Sequence, residues 1–319
     1  MLEADQTAHS FSFRELAPSA TCAILKAEDE TWHQKAGLSS ESPNIMSYVV
    51  LTSREREDLV ELFFRLKKKG KLFPQAREEA MTALRCLKAV HSNFIEDKKV
   101  DRIFLQVLLH NAGIPDKSVI STHYNNASNE LKGQEKMLRW LEARVGERTE
   151  FSLTLLLGMH RAVFEKSTPG YAGCFRQQEV RISGMLHRPP HHSKIQEILF
   201  QRFGVINDEL LAIGELTPKT FSDVLRLSAE VHYLIAHVHP FEDGNGRIAR
   251  AAGDYAMLLH GFYYDVIMTN YRDHYLDAMA ECTLTDASPL FHFLEYSYLE
   301  TLRRIAGFFE LVDVEPPKG

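Results

Sequence analysis

The sequence predicts an all-α protein, a helical bundle interrupted by a single short β-hairpin. Three observations lead there. From Ser53 onward, segment after segment places apolar residues three and four apart, the period of one helix face. Only residues 179–187 alternate polar and apolar at strand period. At 319 residues and 45% hydrophobic content the chain is long enough to bury a sizeable core.

Residues 1–50 lack sustained periodicity and read as an irregular lead-in. From Ser53, a plausible N-cap, Leu59, Leu62, Phe63 and Leu66 mark a first helix that Gly70 should stop. A second helix is expected from Pro74 to Ile95, with Ala80, Leu84, Leu87 and Val90 or His91 facing inward. Ser92 and Glu96, four apart near its end, share a face. Helical patterns continue over Val100 to His110 and Ile120 to about Val145, where Tyr124, Leu131, Leu138 and Leu141 are core candidates, and then over Ser152 to Phe164. Residues 169–176 carry turn chemistry, and Glu179 to His187, closed by Pro189-Pro190, suits two short strands. Further helices are expected over Ile195 to Leu211, from Thr217-Pro218 to His237, over Arg247 to His260, along Tyr271 to Leu299, and finally from Leu302.

Composition excludes several classes of function. Net charge is −6, from 37 basic and 43 acidic residues, and no basic stripe extends beyond Lys67-Lys68-Lys69, so no nucleic-acid partner is expected. Cys22, Cys86, Cys174 and Cys282 stand far apart and suggest neither zinc nor disulfides. No segment approaches the roughly 18 uninterrupted apolar residues of a membrane span, and the acidic start does not resemble a signal peptide. A cytoplasmic protein with no membrane partner is the expectation. His187, His191 and His192 lie in a Pro-rich loop and read as exposed histidines, while His232 reads as a packing or hydrogen-bonding residue.

Chemistry concentrates in residues 239–250, His-Pro-Phe-Glu-Asp-Gly-Asn-Gly-Arg-Ile-Ala-Arg. Gly244-Asn245-Gly246 lets backbone amides turn toward an anion, and the helix that follows offers its unpaired N–H groups and positive dipole end. Arg247 and Arg250, three apart, can grip phosphate oxygens. Asp243 is a hard oxygen ligand suited to Mg²⁺, and His239 can take a proton near neutral pH. Any one of these residues alone would more often be part of a helix corner with a satisfied histidine.

The whole run resembles the signature HxFx(D/E)GNGRxxR of the Fic family, matched at every defined position. The resemblance implies the Fic fold, with its core at 151–305, an N-terminal helical region at 51–150 carrying an inhibitory helix, and a tail at 306–319. It implies transfer of AMP from ATP to a Ser, Thr or Tyr hydroxyl of a target protein. In that role His239 would be the base, Asp243 the Mg²⁺ ligand, Gly244 to Gly246 with Asn245 the anion hole, and Arg247 and Arg250 the phosphate clamps, with Phe241 buried behind the loop. Ser92 and Glu96 resemble the family's inhibitory (S/T)xxxE(G/N) element, whose glutamate would pair with Arg250; Asp97 departs from it. Val180, Arg181, Ile182 and Leu186 would form a flap that binds an extended segment of the target by strand addition. Tyr275 resembles a tyrosine flanking the adenine. Cys282 stands where relatives often place an asparagine, which leaves UMP or GMP transfer open. Removal of AMP with Glu96 orienting a water, or a nucleotide-regulated binding module, are the alternative functions. The resemblance is compatible with a homodimer.

Overall fold

A computed structural model describes residues 48–96, 119–182 and 187–310, the side chains of 119–128 excepted. The lead-in through residue 47, Asp97, the expected helix at Val100 to His110, the side chain of Tyr124, Leu186 and the tail from 311 lie outside the described residues. The described architecture is helical: α1 Ser53–Leu72, α2 Pro74–Glu96, α3 Val119–Gly146, α4 Leu153–Phe164, α5 Ile195–Ile213, α6 Phe221–Val238, α7 Asn245–Leu259, α8 Arg272–Glu281 and α9 Ser288–Glu310. Among the described residues the β-pairing is one isolated bridge, Thr283 to Asp286.

Local chemistry places the helix ends, sometimes one step from expectation. Thr52, not Ser53, caps α1: its hydroxyl accepts from the Glu55 N–H while Glu55 Oε2 accepts from the Thr52 N–H at 2.8 Å, a reciprocal capping box. Gly70 does not stop that helix. It is buried, and a Cβ there would come within 2.9 Å of Tyr263 Oη, so this glycine serves close approach. Ser152 caps α4. The expected wall from Tyr271 to Leu299 is two helices, because Cys282 to Ala287 make a bridged turn and Asp286 Oδ1 accepts from the Ser288 N–H at the start of α9. No separate helix begins at Leu302; α9 runs through it.

The expected hairpin is absent from the described architecture. Val180, Arg181 and Ile182 have no ladder partner among the described residues, and 183–186 lie outside them. Side chains join the two arms instead: Arg176 Nη1 donates to Gln178 O at 2.8 Å and Nη2 to Pro190 O at 2.5 Å, and Glu179 Oε1 accepts from the His192 N–H at 3.3 Å.

Helix α7 is the axis of the molecule. Apart from Gly246 and Leu259 all its residues are buried, the pattern of a helix covered on every side. Its closest neighbour is α6, and Gly253 permits that approach, since a Cβ would come within 3.1 Å of both Ser228 Oγ and Ser228 O. An aromatic cluster closes the far side, with Phe63 of α1 4.4 Å from Phe262 and Phe262 5.0 Å from Phe221 of α6, ring centroid to centroid.

Burying α7 buries its charges, and buried charges need partners. Arg247, Arg250 and Asp254 recur at three and four residues and form one stripe. Lys88, Ser92 and Glu96 of α2, spaced by four, form the opposing stripe and run antiparallel to it. Lys88 Nζ meets Asp254 Oδ2 at 2.5 Å, Ser92 Oγ accepts from Arg250 Nε at 2.8 Å, and Glu96 Oε1 accepts from Arg250 Nη2 at 2.6 Å. Among the described residues no helix is long and apolar enough to cross a membrane.

Candidate active site

The chain leaves α6 at His239 in the left-handed conformation, φ 51° and ψ 58°, and enters α7 through Gly244, also left-handed at φ 78°. Between them the turn is held from inside. Asn245 Oδ1 accepts from the Phe241 N–H at 2.8 Å and Asn245 Nδ2 donates to the Phe241 carbonyl at 2.9 Å. The amide expected in the anion hole is therefore spent on shaping the loop, and it is buried. Gly244 has no room for a side chain, because a Cβ would fall on the Phe164 ring.

Phe241 is fully buried and stacks on His160, 3.9 Å between centroids and 13° between planes. His160 Nδ1 accepts from the Gly173 N–H at 2.9 Å, which leaves Nε2 to donate to the Asp243 carbonyl at 3.1 Å. Burial lowers the His160 pKa to about 4, so the ring stays neutral and that tautomer persists. Arg176 supports the loop from the other side: its N–H donates to Pro240 O at 2.9 Å and its Nε to His239 O at 2.8 Å. Sequence reasoning did not assign His160 a role. Its only signal was a histidine on the apolar face of a short helix, one turn before Phe164.

His239 itself is half-buried, and its Nδ1 lies 3.2 Å from the Ala236 carbonyl. A carbonyl only accepts, so Nδ1 carries the proton and the lone pair belongs to Nε2. Burial lowers the pKa below the ordinary histidine value; the Ala236 bond opposes this, Arg176 adds to it, and Glu96 and Asp243 oppose it. At neutral pH the ring is a free base. A rate that depends on it should be flat from about pH 8 down to about 6.5 and then fall about tenfold per pH unit once the lowered pKa is crossed. Glu96 raises this pKa, so a Glu96→Gly protein should show its acid limb at lower pH than a protein that keeps Glu96; a pH–rate profile of each checks it.

The N-terminus of α7 has no side-chain cap of its own. The first N–H groups of any helix lack intrahelical partners. What approaches them is Glu96, whose Oε1 would collide with a Cβ on Gly246. Burial favours the neutral form of Glu96, but Arg250, Arg247 and the bond from Arg250 outweigh it and hold the pKa below the usual carboxylate value. Ser92 completes the hold on Arg250 through its hydroxyl and through its carbonyl, which accepts from Nη2 at 2.7 Å. Arg247 lies over the Phe164 ring at 4.7 Å and donates through Nη1 to Asn93 Oδ1 at 3.2 Å and to Glu130, and through Nη2 to Asp243 Oδ2 at 3.4 Å. Asp243 Oδ1 accepts from the Gly244 N–H at 2.6 Å, and its side chain is 58% exposed.

The residues expected around a base lie elsewhere. Tyr275 is sealed beneath Arg250, 5.9 Å from guanidinium to ring, and its hydroxyl is 2.8 Å from His232 Nε2, so it braces the arginine. Cys282 is buried too, with Sγ donating to Ala278 O at 3.2 Å. His187 Nε2 lies 3.0 Å from the His237 carbonyl and stacks on that ring at 3.7 Å. His191 and His192 gather with Glu179, ligand atoms within 4.8 Å of one another, in a largely exposed group.

Residues 150–257 match the sequence model of the Fic/DOC family. The chain carries a Fic domain. The Fic segment spans α4 to α7 and so contains the whole loop just described, whereas Glu96 and Glu130 come from helices that precede it. The chain is 28% identical over 206 residues to a protein adenylyltransferase Fic of Culex quinquefasciatus, covering 64% of this chain and 38% of that protein. It is 26% identical over 237 residues to the protein of the same name from Drosophila erecta, covering 69% and 46%. It thus spans less than half the length of these curated relatives. Among solved structures, a Fic domain containing signaling protein from Bacteroides thetaiotaomicron aligns at a TM-score of 0.64 and 17% identity, over 82% of this chain and 99% of that one. Residues 134–508 of Fic-1 from C. elegans align at 0.57 and 23%, over 81% and 72%. At these identities the structural likeness concerns the Fic fold.

Proposed function

We propose that this chain is a protein adenylyltransferase that moves AMP from ATP to a Ser, Thr or Tyr hydroxyl of a target protein and is held back by Glu96. One observation supports the reading: Glu96, a carboxylate of the chain's own, lies against Gly246 at the start of α7, pairs with the buried Arg250 and acts electrostatically on His239, whose lone pair is on Nε2.

The chemistry follows from the parts. His239 Nε2 takes the proton from the target hydroxyl, the oxygen attacks the α-phosphorus of ATP, and pyrophosphate departs. The first amides of α7 and the two guanidiniums hold phosphate charge in place. Magnesium, when bound, neutralises that charge; Asp243 would hold it, since its exposed carboxylate has lone pairs beyond those given to Gly244 and Arg247. Glu96 competes with nucleotide directly, because one carboxylate and a phosphate cannot share Arg250 Nη2 and the space over Gly246.

Glu96→Gly protein incubated with α-labelled ATP, GTP and UTP in a cell lysate tests the reading. Labelling of protein from ATP, at least about tenfold above the unsubstituted chain, is expected. Equal labelling by the two proteins would remove Glu96 as the restraint. Glu96 also acts electrostatically on His239, which places a carboxylate within influence of the base for a second reaction, hydrolytic removal of AMP from a modified target. If Glu96 orients a water there, the same substitution should slow release of AMP from a modified target.

A further inference from the structure

Arg250 is not the only phosphate clamp already occupied. Two acceptors from outside the Fic segment converge on Arg247 Nη1: Asn93 of α2 and Glu130 of α3. Nη2 is engaged by Asp243. A guanidinium grips phosphate through two parallel N–H donors, and the edge formed by Nη1 and Nη2 is filled. The remaining edge includes Nε, which is buried without a hydrogen-bond partner among the described residues. Arg247 thus has no open face with which to hold a nucleotide in a bidentate manner.

We infer that Glu130 is a second inhibitory carboxylate, which withholds Arg247 from the triphosphate as Glu96 withholds Arg250, and that Asn93 couples the two. Asn93 is one turn before Glu96 on α2. Its Oδ1 accepts from Arg247, while its Nδ2 donates to Gln134 Oε1 at 2.8 Å and to Ala89 O at 2.7 Å. Gln134 and Glu130 are themselves four apart on α3 and share its face toward Arg247. Displacing the last turn of α2 therefore pulls on both carboxylates together. Freeing Glu96 alone leaves Arg247 still neutralised, and its grip on phosphate correspondingly weak. Glu130 is a positioning residue in this scheme: it acts on nucleotide through Arg247 and takes no part in proton transfer.

The inference rests on the adenylyltransferase reading for its transfer readout but not for its binding readout. Mg·ATP affinity is measured by calorimetry for the unsubstituted chain, Glu96→Gly, Glu130→Gln and the double variant, with protein labelling and thermal melting in parallel. Glutamine keeps the shape and the hydrogen bond but not the charge. Glu130→Gln is expected to tighten Mg·ATP at least about threefold, and the double variant to exceed the product of the single effects, as coupled neighbours do. A Glu130→Gln protein that melts normally and binds ATP with unchanged affinity, alone and on the Glu96→Gly background, overturns the inference. Tighter binding without protein labelling in any variant sustains it and counts against the adenylyltransferase reading. If Glu130→Gln fails to fold, Asn93→Ala removes the other oxygen on the same Nη1 and carries the same expected direction and the same refutation.

Discussion

His239→Ala is expected to lose protein labelling from ATP by a factor of about 10² to 10⁴ on the Glu96→Gly background, the usual contribution of a positioned general base. The loss should not come from misfolding. The structural work at this position is done by the backbone: the His239 N–H donates to Ile235 O at 3.0 Å and its carbonyl accepts from Arg176 Nε. Among the described residues the imidazole has one hydrogen bond, to Ala236 O. The left-handed conformation does penalise alanine by about 1 kcal/mol, so His239→Asn, which tolerates that region, is the companion variant. Both should bind Mg·ATP with the affinity of the Glu96→Gly parent, because the proposed scheme assigns phosphate to α7 and the arginines and not to the imidazole. A variant that still labels protein at the parent rate removes His239 from the chemistry, and a variant that loses ATP binding assigns it to the pocket instead.

What the sequence made legible follows from what is local. The first-helix core positions Leu59, Leu62, Phe63 and Leu66 are all buried, because period alone decides which face of an amphipathic helix turns inward. The loop at 239–246 could be read because glycine and asparagine at those positions have few other uses, although the Asn245 side chain turns out to hold Phe241. The Ser92, Glu96 and Arg250 contacts were accessible only through a family pattern, since a pair separated by about 150 residues leaves no trace in periodicity. Two signals were present and unread: Lys88 stands four before Ser92, and Asp254 four after Arg250, which extends both stripes by one turn. The break before α9 was also readable, from Asp286 ahead of Ser288 and Pro289. Glu130 was not, because its meaning depends on how α3 packs against α7. Tyr275 shows the opposite hazard: an aromatic beside the right motif suggested a base-stacking surface, yet its hydroxyl and ring are committed to His232 and Arg250.

Lys88→Ala should be strongly destabilising, at about 3–5 kcal/mol, since it strips a fully buried carboxylate of its counter-charge. Lys88 Nζ pairs with Asp254 and donates to the Asp265 carbonyl at 2.7 Å, and Asp265 Oδ1 accepts from Ser297 Oγ at 2.8 Å and Thr301 Oγ1 at 3.2 Å. Even with Lys88 present, burial pushes the carboxyl of Asp254 up to about 7 and that of Asp265 to about 6. Both folded pKa values lie above the unfolded value, so the protonated carboxyl favours folding and stability declines as pH rises from about 4 toward 7. Removing Lys88 raises the folded pKa of Asp254 further and carries that decline past pH 7. Urea unfolding should therefore show a larger deficit for Lys88→Ala at about pH 8.5 than at about pH 6, while Lys88→Met with Asp254→Leu recovers most of it. The functional consequence has the opposite sign to the stability loss. Lys88 pins α2 to α7 two turns before Glu96, which sets the register that brings Glu96 to Arg250 and Gly246. Loosening that pin should raise protein labelling from ATP while lowering the urea midpoint. A Lys88→Ala protein as stable as its parent would mean the buried pair does not hold the two helices together, and one that is destabilised but no more active would locate the restraint on Glu96 entirely in the last turn of α2.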